Sequence, residues 1–102
     1  MKLEFYPVKK LKKEILNIVG EYLDLKEYKV FFFGSRVKGK NFPRADIDIG
    51  IKGPKPISPE IKFKIEEAIE ELPTLYKFDL VDFSEVSADF EKEALKSIEY
   101  VR

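Results

Sequence analysis

The hydrophobic positions of this chain change their spacing along its length, from helical near the start to strand-like in the middle. An apolar stripe predicts an amphipathic helix from Val8 to about Leu25. The continuously apolar run from Val30 to Phe33 predicts a strand that is covered on both faces. After Pro43, apolar and polar residues alternate from Ala45 to Ile51 and predict a second strand. The helical stripe consists of Val8, Leu11, Ile15, Ile18, Val19 and Tyr22.

The second half of the chain predicts a helix, a strand and a final helix. Ser58 can cap the first of these helices, Pro59 suits its first position, and Pro73 ends it. A third strand is predicted from Tyr76 to Phe83, and Ser87 can cap the last helix. The apolar stripes are Ile61, Ile65, Ala68, Ile69 and Leu72 in the first helix, and Phe90, Ala94, Leu95 and Ile98 in the last.

The predicted order of elements is α-β-β-α-β-α, with two variations. Residues Glu99–Arg102 could form a short edge strand, and Arg36–Gly39 could form a short helical turn. This order predicts an α+β fold, in which a small mixed β-sheet has its helices packed mainly on one face. The 102 residues are enough for one hydrophobic core, so a single domain covering residues 1–102 is expected.

Composition and charge exclude several classes of function. The 19 basic and 19 acidic residues cancel, so we expect no direct binding to nucleic acid and none to a membrane. Because the chain has no Cys, it has no disulfide and no thiolate site, which favours a cytoplasmic location. Because it has no His, acid–base chemistry must use carboxylates, Lys, Tyr or a metal-bound species.

The candidate chemistry lies around the end of the first strand and the start of the second. Gly34 and Ser35 form a tight turn that can present backbone N–H groups and a hydroxyl to phosphate oxygens. Asp46 and Asp48 are two residues apart, so both side chains leave the same face of the second strand. Two neighbouring carboxylates repel each other unless a cation lies between them. This pattern predicts a Mg²⁺-dependent nucleotide site.

A third metal ligand is expected from the third strand, which offers two aspartates. Asp79 and Asp82 lie on opposite faces of a regular strand, so only one of them can join the other two carboxylates. Asp79 is preferred because it is interior to the strand. A bulge between the two residues would reverse this preference.

Residues 34–41 nearly match the P-loop pattern, but this interpretation is rejected. Asn41 replaces the hydroxyl residue that should reach Mg²⁺, and Pro43 follows where a helix should continue. The nearby basic residues Lys38 and Lys40 are interpreted as ordinary surface charges. Arg36 directly follows the turn and could contact phosphate or pair with a carboxylate, and both alternatives stay open.

Gly34-Ser35, ten intervening residues and then Asp46-x-Asp48 resemble the motif of the polymerase-β-like nucleotidyltransferase superfamily. The small size and the Arg36-x-x-Gly39 continuation are similar to its minimal, MNT-type branch. The resemblance implies that Gly34, Ser35 and Arg36 hold the nucleotide phosphates. It also implies that Asp46, Asp48 and Asp79 are catalytic and bind Mg²⁺, with two ions and with ATP as substrate. Ala45 stands where the family often has Ser.

MNT proteins are typically encoded with a HEPN-type toxin, and the resemblance implies such a partner here. The function expected is transfer of AMP from ATP to a tyrosine of a HEPN ribonuclease toxin, which would make this chain the antitoxin. One alternative is a non-catalytic antitoxin that blocks its toxin sterically, and another is nucleotidyl transfer to a small molecule. A nucleic-acid polymerase is not expected, because the chain is short and has no net charge.

Overall fold

Helices and strands alternate along the residues that the computed structural model describes, which are 1–39 and 45–102. Ser58 and Ser87 cap the second and third helices, because each side chain accepts a hydrogen bond from a backbone N–H three residues later. The elements are α1 (Val8–Gly20), β1 (Lys29–Phe33), β2 (Ile47–Lys52), α2 (Pro59–Glu70), β3 (Phe78–Asp82), α3 (Ala88–Ala94) and β4 (Glu99–Tyr100).

The strands form one mixed sheet in the order β3-β2-β1-β4. β1 is antiparallel to both of its neighbours, whereas β2 and β3 are parallel. A parallel pair needs a long crossover between its strands, and α2 supplies that crossover. The predicted α+β fold with a small mixed sheet is therefore confirmed, including the short edge strand at the end of the chain.

The main hydrophobic core lies between the sheet and the first two helices. Ile47, Ile49 and Ile51 point from β2 into this core, as the alternation along the strand predicts. Burial of these apolar side chains fixes which face of β2 is turned to solvent, because a shift of one residue would reverse every side chain. The residues that α1 and α2 contribute are Leu11, Ile15, Val19, Ile65 and Ile69, all essentially inaccessible to solvent.

The opposite face of the sheet carries a smaller aromatic cluster that α3 covers. The rings of Phe31 and Phe33 each contact Phe83 edge-on, at centroid distances of 4.9 and 5.0 Å. Phe90 of α3 joins them at 5.8 Å from Phe83. The helices are therefore distributed two to one between the faces, which agrees with packing mainly on one face.

The first helix ends earlier than the apolar stripe predicts. α1 stops at Gly20, not near Leu25, because glycine is a poor helix former and the chain turns immediately afterwards. The N–H groups of Tyr22 and Leu23 both donate to the carbonyl of Val19 and close this turn. Within residues 1–39 and 45–102, no helix combines the length and apolar character that crossing a bilayer would need.

Asp82 at the end of β3 is buried and holds two loops together. Its carboxylate accepts hydrogen bonds from the N–H of Ile57 at 2.7 Å and from the N–H and hydroxyl of Ser84 at 2.9 and 2.6 Å. It lies beside Ile51 in the parallel register and so belongs to the face that α1 and α2 cover. These contacts give Asp82 a structural role at the ends of β2 and β3.

We predict that Asp82→Asn destabilises the protein, whereas Asp79→Asn does not. The amide of Asn has one acceptor oxygen where the carboxylate has two. At least one of the groups that donate to Asp82 would therefore be left unpaired, which should lower the free energy of unfolding by about 2 kcal/mol. Asp79 is exposed and loses nothing comparable. Urea denaturation of the two variants and the parent measures the difference. Equal midpoints for both variants would contradict the role of Asp82.

Candidate active site

A tight turn, residues Gly34–Gly39, connects the end of β1 to the region before β2. Gly34 and Gly39 both have positive φ angles, +82° and +83°, which glycine adopts without the penalty that other residues incur. Within the turn, the N–H of Lys38 donates to the carbonyl of Gly34, and that of Gly39 donates to the carbonyl of Arg36. Such a turn directs successive backbone N–H groups to one side, which suits an anion.

Gly34 lies against the carboxylate of Asp48 and leaves no room for a side chain. A Cβ atom built on Gly34 would fall 2.1 Å from one carboxylate oxygen of Asp48. At Gly39, by contrast, a Cβ atom would meet no described atom within 4 Å. Glycine at position 34 is therefore required both by its backbone angle and by the closeness of Asp48.

The register of the sheet brings Asp48 and Asp79 side by side. Asp48 pairs with Phe33 of β1 on one side and with Asp79 of β3 on the other. Asp46 lies two residues earlier, just before β2, and is near enough for its negative charge to act on Asp48. As strand parity predicts, Asp79 shares the face of Asp48 while Asp82 lies on the other. Asp46 and Asp79 are exposed, whereas Asp48 is half-buried between them.

The electrostatic environment of Asp48 disfavours its charged form. Burial raises the pKa of Asp48 to about 6, and the negative charges of Asp79 and Asp46 add to the effect. The ion pairs of the described residues involve none of these three carboxylates. The site therefore concentrates negative charge that no cationic side chain within residues 1–39 and 45–102 neutralises.

The donors at this site suit a hard divalent cation such as Mg²⁺, which prefers carboxylate oxygens. In the described part of the chain, no three acidic side chains converge on one point as a complete ligand set would. Repulsion among carboxylates favours separated side chains when no cation lies between them. Asp48 and Asp79 fit the ion best, since they occupy paired positions on adjacent strands, and Asp46 lies just before β2.

Arg36 is buried and binds to the protein itself. Its side chain is 5% exposed, its Nε donates to the carbonyl of Ala45 at 2.8 Å, and its guanidinium lies 4.9 Å from the ring centre of Tyr76. It pairs with no described carboxylate. Arg36 thus joins the Gly34–Gly39 turn to the residue before Asp46, and its predicted contact with phosphate stays a prediction. Lys40 and Asn41, for which the sequence also made predictions, lie outside the described residues.

Two features of this region were not foreseen from the sequence. One is the stacking of Tyr76 on Arg36, which no local pattern signals because the residues are 40 positions apart. The other is a cavity of about 170 Å³ beside Gly34, between the turn and α3. Its walls include Phe33, Phe90 and Lys38. The apolar character of Phe90 pointed to the core, but its ring is 44% exposed at this cavity.

Comparison with known proteins agrees with this architecture. Residues 13–101 match the family described as polymerase beta, nucleotidyltransferase. A relative from Haemophilus influenzae, named probable protein adenylyltransferase MntA, is 33% identical over 90 residues, which cover 86% of this chain and 78% of the relative.

Two solved structures show the same fold at low sequence identity. One is a toxin–antitoxin structure with AMP-PNP, which has a TM-score of 0.74 and 16% identity over 89% of this chain and 72% of that one. The other is a tri-AMPylated HEPN toxin of Shewanella oneidensis in complex with MNT antitoxin. It has a TM-score of 0.72 and 14% identity over 94% of this chain and 72% of that one.

We predict that Asp48→Asn stabilises the metal-free protein at neutral pH. Because the pKa of Asp48 is raised in the folded state, the protonated carboxyl contributes to the free energy of unfolding. This contribution is fully present below about pH 4 and is lost as the pH rises through about 6. The amide of Asn stays neutral and avoids this loss. The expected gain in the free energy of unfolding is on the order of 1 kcal/mol, after allowing for the partial exposure of Asp48.

Thermal denaturation in EDTA between pH 4 and pH 8 checks this prediction. The gain in melting temperature should be present at pH 8 and should disappear near pH 4. Glu66→Gln, at an exposed position of α2, serves as the control and should show little change at any pH. A gain for Asp48→Asn that is independent of pH would contradict the assigned cause.

Proposed function

The chain belongs to the polymerase beta nucleotidyltransferase family, and from this premise we propose that it transfers AMP from ATP to a tyrosine hydroxyl of a HEPN-type toxin. In this proposal the chain is the antitoxin of a two-protein pair. The observation that carries it is the contact of Gly34 with Asp48, which lies opposite Asp79. A turn suited to phosphate and a cluster of uncompensated carboxylates are thereby held together at one point of the sheet.

The relatives support the choice of acceptor. The Haemophilus influenzae relative is named as a protein adenylyltransferase, and the Shewanella oneidensis structure contains a HEPN toxin that carries AMP groups. These names describe those proteins. They make a protein hydroxyl the acceptor to test first for this chain.

The proposed reaction is an in-line displacement at the α-phosphorus of ATP. The tyrosine oxygen forms a bond to that phosphorus, the bond to the oxygen that bridges to the β-phosphate breaks, and pyrophosphate leaves. Asp79 is exposed beside Asp48, so its carboxylate can accept the hydroxyl proton and pass it to solvent. Gly34 and Ser35 orient the phosphates through backbone N–H groups and the serine hydroxyl.

Asp46, Asp48 and Asp79 would hold Mg²⁺ at this site. When bound, the ion would lower the pKa of the attacking hydroxyl and neutralise charge on the leaving oxygens. The half-buried Asp48 presents its carboxylate next to Gly34. A phosphate at the turn and an ion at the carboxylates would therefore be neighbours. The number of ions, two in the resemblance described above, belongs to the same proposal.

Incubation with the cognate HEPN-type protein, ATP and Mg²⁺ tests the proposed function. We expect the intact mass of the partner to rise by one or more AMP units, with the modification on tyrosine. Asp46→Asn, Asp48→Asn and Asp79→Asn should each abolish the transfer, because each removes a charged oxygen from the site. EDTA should abolish it as well.

Asp82→Asn is the matched control, since it changes the same residue type on the same strand but on the opposite face. Compared at equal concentrations of folded protein, it should keep most of the activity. Two results together would show that the chain acts by steric block and that the proposed transfer is wrong. The partner would be neutralised with its mass unchanged, and the Asp48→Asn variant would neutralise it equally well.

A second prediction separates the two positive-φ glycines. Gly34→Ala and Gly39→Ala should cost similar free energies of unfolding, about 1–2 kcal/mol each, because alanine is strained at both positions. Only Gly34→Ala displaces the carboxylate of Asp48, so only this variant should lose transfer activity, by about 100-fold. Initial rates and urea denaturation of both variants measure this, and equal losses of activity would contradict the role of the Gly34–Asp48 contact.

A further inference from the structure

A concave surface of the described residues forms a groove outside the carboxylate cluster. It has a volume of about 1210 Å³ and lies between the first residues of the chain and the segment that precedes β3. The N–H of Phe5 donates to the hydroxyl of Tyr76 at 3.2 Å and ties these two walls together. We call this surface the N-terminal groove, and its lining includes Leu3, Phe5, Arg36, Leu72, Leu75 and Tyr76.

Large apolar side chains at the groove are exposed to solvent. Leu75 is fully exposed, at 102% of its reference area, and Phe5 is 81% exposed. They are the two most exposed large hydrophobic residues of the described chain and both line the same surface. Exposed apolar side chains that cluster in a concave surface are typical of a binding site, whereas isolated ones are not.

The same groove contains a buried positive charge that lacks an anionic partner. Arg36 is 5% exposed and lines the groove, and its Nη2 atom is buried without any hydrogen-bond acceptor within residues 1–39 and 45–102. A buried guanidinium with an unused donor is costly, and a carboxylate oxygen is its best acceptor. A ligand that carries an acidic group as well as apolar groups would match this lining.

Arg36 also connects the groove to the candidate active site. It follows Ser35 directly, and its Nε holds the carbonyl of Ala45, the residue before Asp46. Arg36 is therefore shared by the groove and the phosphate turn, and it holds the residue that precedes Asp46. A ligand on Arg36 would contact the segment that carries the candidate site.

We propose that the N-terminal groove binds an apolar peptide segment of the acceptor protein, with an acidic side chain of that segment on Arg36. This inference rests on the proposed function for the identity of the acceptor. The groove exceeds the 300–1,000 Å³ that is usual for small-molecule pockets and is open to solvent, which favours a peptide segment. Apolar anchoring by Phe5 and Leu75 supplies affinity, and the pairing with Arg36 sets the position of the segment.

A cysteine-protection experiment tests the proposal, because the chain has no cysteine of its own. Leu75→Cys places one thiol in the groove, and Phe63→Cys places one on the exposed side of α2 as a matched control at a 49% exposed hydrophobic position. Each variant is alkylated with and without a saturating amount of the cognate HEPN-type protein, in the absence of ATP. We expect at least tenfold slower alkylation at position 75 and no change at position 63.

The other occupants of the groove give different results. Protection of position 75 by ATP alone would identify a nucleotide site, and protection that rises with the concentration of this chain alone would identify self-association. Either result overturns the proposal. Equal protection of both thiols, or protection of neither, overturns it too.

Affinity and transfer are then measured with Leu75→Ser, and with Phe63→Ser as the control. Leu75→Ser removes no buried contact, so it should leave folding intact while weakening the binding of the partner by at least tenfold; unchanged binding would overturn the proposal. KM for the partner should rise while KM for ATP stays the same, and a rise in KM for ATP alone would overturn it. Since protection is measured without ATP, failure of AMP transfer with protection retained would reject the proposed function and leave the groove assignment standing.

Discussion

The parallel register of β2 and β3 is the constraint on which the rest of this structure depends. It places Asp48 directly opposite Asp79, an arrangement of like charges that is unfavourable in isolation. Ile47, Ile49 and Ile51 are buried on the other side of the same strand, and a one-residue shift of β2 that separated the carboxylates would turn these side chains out of the core. Hydrophobic burial therefore holds the acidic cluster in place, and the raised pKa of Asp48 reflects the electrostatic cost.

The alternation of side chains along β3 places its two aspartates in different environments. Asp82 points to the side that α1 and α2 cover, where three hydrogen bonds satisfy its carboxylate. Asp79 points to the opposite side, is exposed to solvent and keeps its oxygens available. The two residues have the same chemical type and are three positions apart, so their different environments follow from strand geometry alone.

The sequence was informative where local periodicity or local chemistry decides the outcome. Strand alternation predicted the separation of Asp79 from Asp82, and the caps at Ser58 and Ser87 were also predictable. The shared face of Asp46 and Asp48 stays a prediction, because Asp46 lies just before β2. The end of α1 at Gly20 was not predictable, because the apolar stripe continues beyond this last helical residue. The stacking of Arg36 on Tyr76 and the contact of Gly34 with Asp48 depend on tertiary packing, which no window of sequence contains.

The small size of the chain explains how the proposed site and the proposed groove belong together. The sheet and the three helices of the described residues bury two hydrophobic clusters, whereas Asp46 and Asp79 of the carboxylate cluster stay exposed to solvent. A hydroxyl that approaches such an open site gains the orientation needed for reaction, worth about 7–11 kcal/mol at best, only if something else fixes its position. Arg36 belongs to the phosphate turn and also lines the groove, where its guanidinium stacks on Tyr76. Binding of the acceptor in the groove would therefore complete the site that this chain leaves open, and selectivity for one protein partner would follow from the same contacts.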